Sequence, residues 1–177
     1  MIDNVSISHK DNHSGSKLFE ISMPRFGLGV WQMSDMECEA SILHALNNGY
    51  RLIDTATAYG NETAVGEAIR KSEIPRDEIF VVTKLRRVHA TGFDETIIQC
   101  KESLERLGLD FVDLYLVHAP PENISVRGEV WKAMEECLKL GLTRSIGVSN
   151  YGIKHLEDMK NYAEIMPSVN QIEVHPW

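Results

Sequence analysis

The sequence has no apolar run approaching the ~20 residues needed to span a bilayer, so no helical membrane span is expected. Cysteine is sparse. Cys38, Cys100 and Cys137 are far apart, odd in number and form no C-x-x-C pair. That pattern excludes a disulfide framework and reads as free thiols in a reducing compartment. Positive charge is in deficit: 18 Lys and Arg against 26 Asp and Glu leave a net −8, with no compensating basic stripe. Nucleic acid and anionic membranes are therefore not expected partners. The start of the chain lacks a basic segment followed by an apolar one, so no secretory signal is expected and the default location is cytoplasmic.

With 177 residues and 43% hydrophobic content, the chain can bury a real core as one domain. Residues 1–17 are rich in Ser, Asn, Asp and His and read as a mobile tail, with the domain spanning 18–177. His9 and His13 stand four apart, a helical metal-ligand spacing, but nothing around them favours a helix. They read as part of that tail, and no metal is expected.

From residue 26 onward, short apolar runs alternate with amphipathic segments. The runs occupy 26–31, 51–54, 79–84, 111–118, 143–150 and 168–174. Their starts lie 25 to 32 residues apart, about one strand–helix unit each. Between them, Phe93, Ile97, Cys100, Leu104 and Leu107 recur at helical spacing. Val126, Val130, Met134 and Leu138 form a second stripe, and Met36, Ala40 and Leu43 begin a third. Ser34 and Glu37 have the spacing of a capping box, and Gly108 and Gly141 stand where helices should stop. The strand candidates alternate little, as expected of a sheet covered by helices. The class is parallel α/β, either doubly wound or a barrel. The "GLGVWQ" at 27–32 is a poor dinucleotide fingerprint, because Gln32 stands where its third glycine belongs.

Three consecutive runs finish on ionisable residues: Asp54, Lys84 and His118. In a parallel sheet with right-handed crossovers these are neighbouring strands whose carboxyl ends share one face. Tyr59 lies in the loop that leaves Asp54. A lone charged residue at a strand end is usually a solvated terminus, but four such groups on three adjacent ends suggest a common purpose. A phenol is a poor acid near neutrality, a nearby ammonium favours its ionised form, and a buried ammonium needs a carboxylate. Asp54 would hold Lys84, Lys84 would tune Tyr59, and His118 would orient a substrate oxygen. That is proton donation to an oxygen gaining negative charge, as carbonyl reduction requires, with hydride supplied by a cofactor.

Taken in order, "MPRFGLGVWQM", "YRLIDTATAYGNE", "VVTKL", "DFVDLYLVH", "SIGVSN" and "VNQIEVHP" make the chain resemble the aldo-keto reductases over residues 23–176. The resemblance implies a (β/α)8 barrel of the TIM type and NADPH-dependent reduction of an aldehyde or ketone, with NADH as the alternative reductant. It assigns Asp54, Tyr59, Lys84 and His118 to catalysis, with Tyr59 as proton donor. It assigns Ser149, Asn150 and Gln171 to the nicotinamide carboxamide, Gly29, Val30, Trp31 and Asp54 to the cofactor's surroundings, and Trp31, Tyr59, His118 and Ala119 to the substrate. The family often has tryptophan after the histidine; Ala119 here should widen the pocket. Six strands stand where the barrel plan has eight, so the barrel is expected to be incomplete and its open edges to self-associate. The rival functional expectation is an incomplete barrel without turnover that acts as a binding or regulatory module. A second rival, a doubly wound flavin or nucleotide protein, gives the four polar groups no shared role.

Overall fold

In the computed structural model, which describes residues 3–176, the chain begins with an antiparallel hairpin. Strand β1 (Asn4–Lys10) pairs with β2 (Lys17–Pro24). The mobile tail expected over residues 1–17 is thereby corrected: its described part, from residue 3 on, is instead this hairpin, and residues 1 and 2 lie outside the described residues. Val5, Ile7 and His9 stand opposite Met23, Ile21 and Phe19, while Ser6 and Ser8 face Ser22 and Glu20. That is strict period-two alternation, hidden in the composition because every second residue is polar. The connecting turn is closed by the Asp11 carboxylate, which accepts from the backbone N–H groups of His13 and Ser14, with Gly15 at φ +68°.

The remaining strands form one parallel sheet in sequence order: β3 (Leu28–Gly29), β4 (Leu52–Asp54), β5 (Phe80–Leu85), β6 (Leu114–Val117), β7 (Ile146–Ser149) and β8 (Asn170–Gln171). All six expected runs contain a strand, in the expected order. The outermost two are short. Leu28–Gly29 and Asn170–Gln171 replace the expected 26–31 and 168–174, because each has a single neighbouring strand to extend its ladder. The sheet curls into an incomplete (β/α)8 barrel.

Five helices cover the outer face: α1 (Asp35–Asn47), α2 (Glu62–Lys71), α3 (Phe93–Leu107), α4 (Arg127–Lys139) and α5 (Ile153–Met159). The capping box exists as expected, with the Ser34 backbone N–H donating to Glu37 and the Ser34 hydroxyl accepting from the Glu37 backbone. Gly108 ends α3 in the left-handed conformation, at φ +64°.

Two apolar cores lie on opposite faces of the sheet. On the outer side, Val81, Leu85, Tyr115 and Val117 pack with helix residues such as Leu104, Trp131 and Met134. On the inner side, Phe80, Val82, Leu114 and Leu116 pack with Ile7, Val5, Ile21 and Met23 of the hairpin. The hairpin thus plugs the end of the curled sheet where the strands begin. His9 fastens it: its Nδ1 donates to the Met166 carbonyl, and its Nε2 accepts from the Ile146 N–H and the Ser145 hydroxyl. The three cysteines are buried and free, and burial pushes the Cys38 thiol up to about 11. Among the described residues, no helix is long and apolar enough to cross a membrane. With the hairpin closing one end, polar groups gather at the other.

Candidate active site

Asp54 is the last residue of β4, Lys84 lies one residue before the end of β5, and His118 follows β6. Tyr59 closes a 3-10 turn, Thr57–Tyr59, in the loop that leaves β4. Along β5 the period of two turns Phe80, Val82 and Lys84 inward, so the lysine stem runs through apolar surroundings to the mouth. Its side chain is 0% exposed. A buried ammonium must find acceptors, and Lys84 Nζ has three: Asp54 Oδ1 at 2.5 Å, the Thr55 carbonyl at 2.9 Å and the Tyr59 hydroxyl at 3.3 Å.

The His118 ring meets the Tyr59 ring edge-on, with centroids 5.6 Å apart and planes at 77°. Burial, and after it the Lys84 charge, hold the His118 imidazole below its usual range, against the opposing pull of Asp54. The neutral imidazole is therefore its favoured form. The four residues that the sequence places at three strand ends and one loop come together around Lys84 Nζ.

The expected carboxamide-binding residues stand on the same rim, already tied to this cluster. Asn150 has φ +60°, a left-handed conformation that asparagine tolerates. Its amide donates to the His118 carbonyl and the Ser149 hydroxyl. Ser149 Oγ donates to the Gln171 carbonyl, and Gln171 Nε2 reaches Asp54 Oδ2 at 2.8 Å. Asp54 thus serves Lys84 with one oxygen and Gln171 with the other. The Asp54–Gln171 bond joins residues 117 positions apart, and nothing in the sequence announces it.

At the opposite side of the mouth, Gly29 pairs with Asp54, and the Val30 N–H donates to the Asp54 carbonyl. Trp31 is 66% exposed at the rim. Ala119 is half-buried beside His118. Two residues that sequence reasoning passed over hold this loop. Asn61, fully buried, accepts from Thr55 Oγ1 and donates to the Val30 carbonyl, joining the β3 and β4 loops. Its only sequence signal is an amide directly after the turn that carries Tyr59.

A curled parallel sheet with its polar cluster at the carboxyl ends of the strands defines a protein of the (β/α)8 barrel class. The sequence model of the Aldo/keto reductase family matches residues 23–177, and the chain belongs to that family. An aldo-keto reductase of Mycolicibacterium vanbaalenii is 53% identical over 155 residues, covering 88% of this chain and 55% of that protein. One from Mycobacterium sp. is 45% identical over 171 residues, covering 97% of this chain and 57% of its own length. The chain spans about 55% of the length of the curated relatives it matches. Among solved structures, an aldo/keto reductase from Brucella melitensis superposes with TM-score 0.87 at 39% identity, covering 99% of this chain and 64% of that one. A Bombyx mori aldo-keto reductase in complex with NADP has TM-score 0.84 at 33% identity, covering 98% and 59%.

Proposed function

We propose that the protein is an oxidoreductase that reduces an aldehyde or ketone to the alcohol, using NADPH, with Tyr59 as the proton donor. The observation that carries this reading is the Lys84 ammonium, fully buried, bonded to Asp54 and 3.3 Å from the Tyr59 hydroxyl. A carbonyl oxygen that receives negative charge needs a proton and a positive neighbour, and this arrangement offers both from one direction. Tyr59 Oη gives its proton to the carbonyl oxygen, while Lys84 stabilises the charge left on the phenol. Neutral His118, its ring against Tyr59, orients that oxygen by hydrogen bonding. Trp31 and Ala119 border the substrate, with the small Ala119 leaving room for a bulky carbonyl partner.

Bound NADPH supplies the hydride, which no side chain can. The donor set suits its nicotinamide carboxamide. Ser149, Asn150 and Gln171 bring hydroxyl and amide groups to one rim, and the side-chain bonds that the two amides make within the site are all donated by N–H, leaving amide oxygens to accept from the carboxamide. Gly29 and Val30 line the neighbouring loop beside Asp54, and no heavy atom lies within 4 Å of where a Gly29 Cβ would stand. The NADP-bound Bombyx mori neighbour supports a nicotinamide cofactor. NADPH rather than NADH is our proposal, and parallel titrations with the two distinguish them.

The test is NADPH oxidation with a reactive aromatic aldehyde, alongside NADPH fluorescence titration. Tyr59→Phe should abolish turnover while leaving NADPH affinity within about threefold. Equal loss of both would make Tyr59 a structural residue. Normal NADPH binding without turnover in the parent would favour the binding-module reading.

A further inference from the structure

Behind the Lys84–Tyr59 contact, on the helix side of the sheet, lies a second buried charge. Glu62, the first residue of α2, has a side chain only 1% exposed. Its Oε1 accepts from Thr83 Oγ1 at 2.6 Å, and its Oε2 from Arg106 Nε at 2.7 Å. Arg106 Nη2 donates to Ser103 Oγ at 3.0 Å, which is 3.1 Å from Thr57 Oγ1. Thr83 immediately precedes Lys84 on β5 and points to the opposite face. Thr57 opens the 3-10 turn that ends at Tyr59. One hydrogen-bonded chain therefore grips the residue beside the ammonium at one end and the turn that carries the phenol at the other.

We infer that Glu62 and Arg106 are a positioning pair that sets the Lys84–Tyr59 separation from behind the sheet, an inference resting on the proposed roles of those two residues. The scaffold beneath the pair is closely packed. Gly66, one turn after Glu62, lets α2 touch the end of α3 so closely that a Cβ there would stand 2.0 Å from the Leu107 carbonyl oxygen. Glu62 at the start of α2 and Arg106 in the last turn of α3 each suit the dipole of their own helix. Stability alone is a poor reason for such a pair, since apolar residues of similar volume often serve as well or better. Directional bonds to Thr83 and toward Thr57 are what an apolar pair would lack. Their value is geometric, because catalysis falls steeply with displacements of about 1 Å.

The test reads the Lys84 ammonium directly. Held by three acceptors and shielded from water, it should exchange hydrogen slowly enough to give a 15N–1H signal, assigned by its loss in Lys84→Met. Glu62→Gln keeps the side-chain volume and leaves Arg106, 36% exposed, able to reach water. Thr83→Val is nearly isosteric and cuts only the β5 end of the chain. Each should speed exchange at Lys84 by about tenfold or more at 25 °C. Ile42→Val, in the core but outside this network, is the control and should leave it unchanged. The inference is overturned if either variant leaves the signal as it was, if the control moves it equally, or if the parent shows no protected ammonium. Failure of the proposed reductase activity would appear separately, as absent NADPH oxidation in a parent whose Lys84 signal is intact.

Discussion

Replacing Asp54 by asparagine isolates the charge at the centre of the site. The carboxylate accepts from Lys84 with Oδ1 at 2.5 Å and from Gln171 with Oδ2 at 2.8 Å. A carboxamide has one acceptor oxygen, so the introduced side chain would serve one donor and turn its own N–H groups toward the other. The larger loss is the charge. Lys84 is fully buried and Asp54 is 15% exposed, so the ammonium cannot recover its hydration without opening the site. Removing one partner of a buried pair costs about 3–5 kcal/mol. At roughly 2–4 °C per kcal/mol for a chain of this size, the melting temperature should fall by about 6–20 °C. Lys84→Met should cost less, because methionine fills the stem's apolar path and Asp54 keeps Gln171 and some water. The double variant should be no less stable than Asp54→Asn alone, since the stranded charge is gone. Thermal and urea unfolding of the four proteins at pH 7 close the cycle. An Asp54→Asn protein melting within about 2 °C of the parent, or additive losses in the double variant, would refute a buried ammonium dependent on its carboxylate.

Three further outcomes follow from other parts of the fold. Burial lowers the His9 pKa against the opposing Met166 hydrogen bond, and its Nε2 already accepts from the Ile146 N–H, so protonation costs hairpin docking. The unfolded state then binds more protons, so His9 contributes full stability above about pH 6.5, lost progressively as pH falls below it. His9→Gln should flatten the melting-temperature profile between pH 7.5 and 5, and an unaltered slope would clear His9 of that role. Gly66→Ala trades up to about 1 kcal/mol of helix propensity for a backbone clash at Leu107; the clash should win by about 1–3 kcal/mol, visible as a lower urea midpoint. We also propose that the chain self-associates through the edges of β3 and β8, each paired on one side only and flanked by exposed Phe26, Ile172 and Val174. Gel filtration with light scattering should give a mass above that of one chain, and a monodisperse monomer at about 50 μM would contradict it.

The sequence made some features legible because their causes are local. The apolar stripe of 93–107 defines α3 to the residue, with Gly108 supplying the left-handed stop, and Ser34 with Glu37 forms the capping box of α1 as spaced. The order of the six parallel strands followed from their beat and the handedness of crossovers, which brought Asp54, Lys84 and His118 to one rim. The hairpin of residues 4–24 had an equally regular signal, alternating Val5, Ile7 and His9, but polar composition masked it. What only tertiary structure decided are the contacts whose partners are distant in the chain. Gln171 completes Asp54 across the mouth, His9 locks the hairpin to β7, and Glu62 meets Thr83 and Arg106 behind the sheet. The sequence names these groups as polar, but their burial depends on which neighbours the curl of the sheet supplies. Burial, in turn, turns each from a solvated side chain into a group that must be paired.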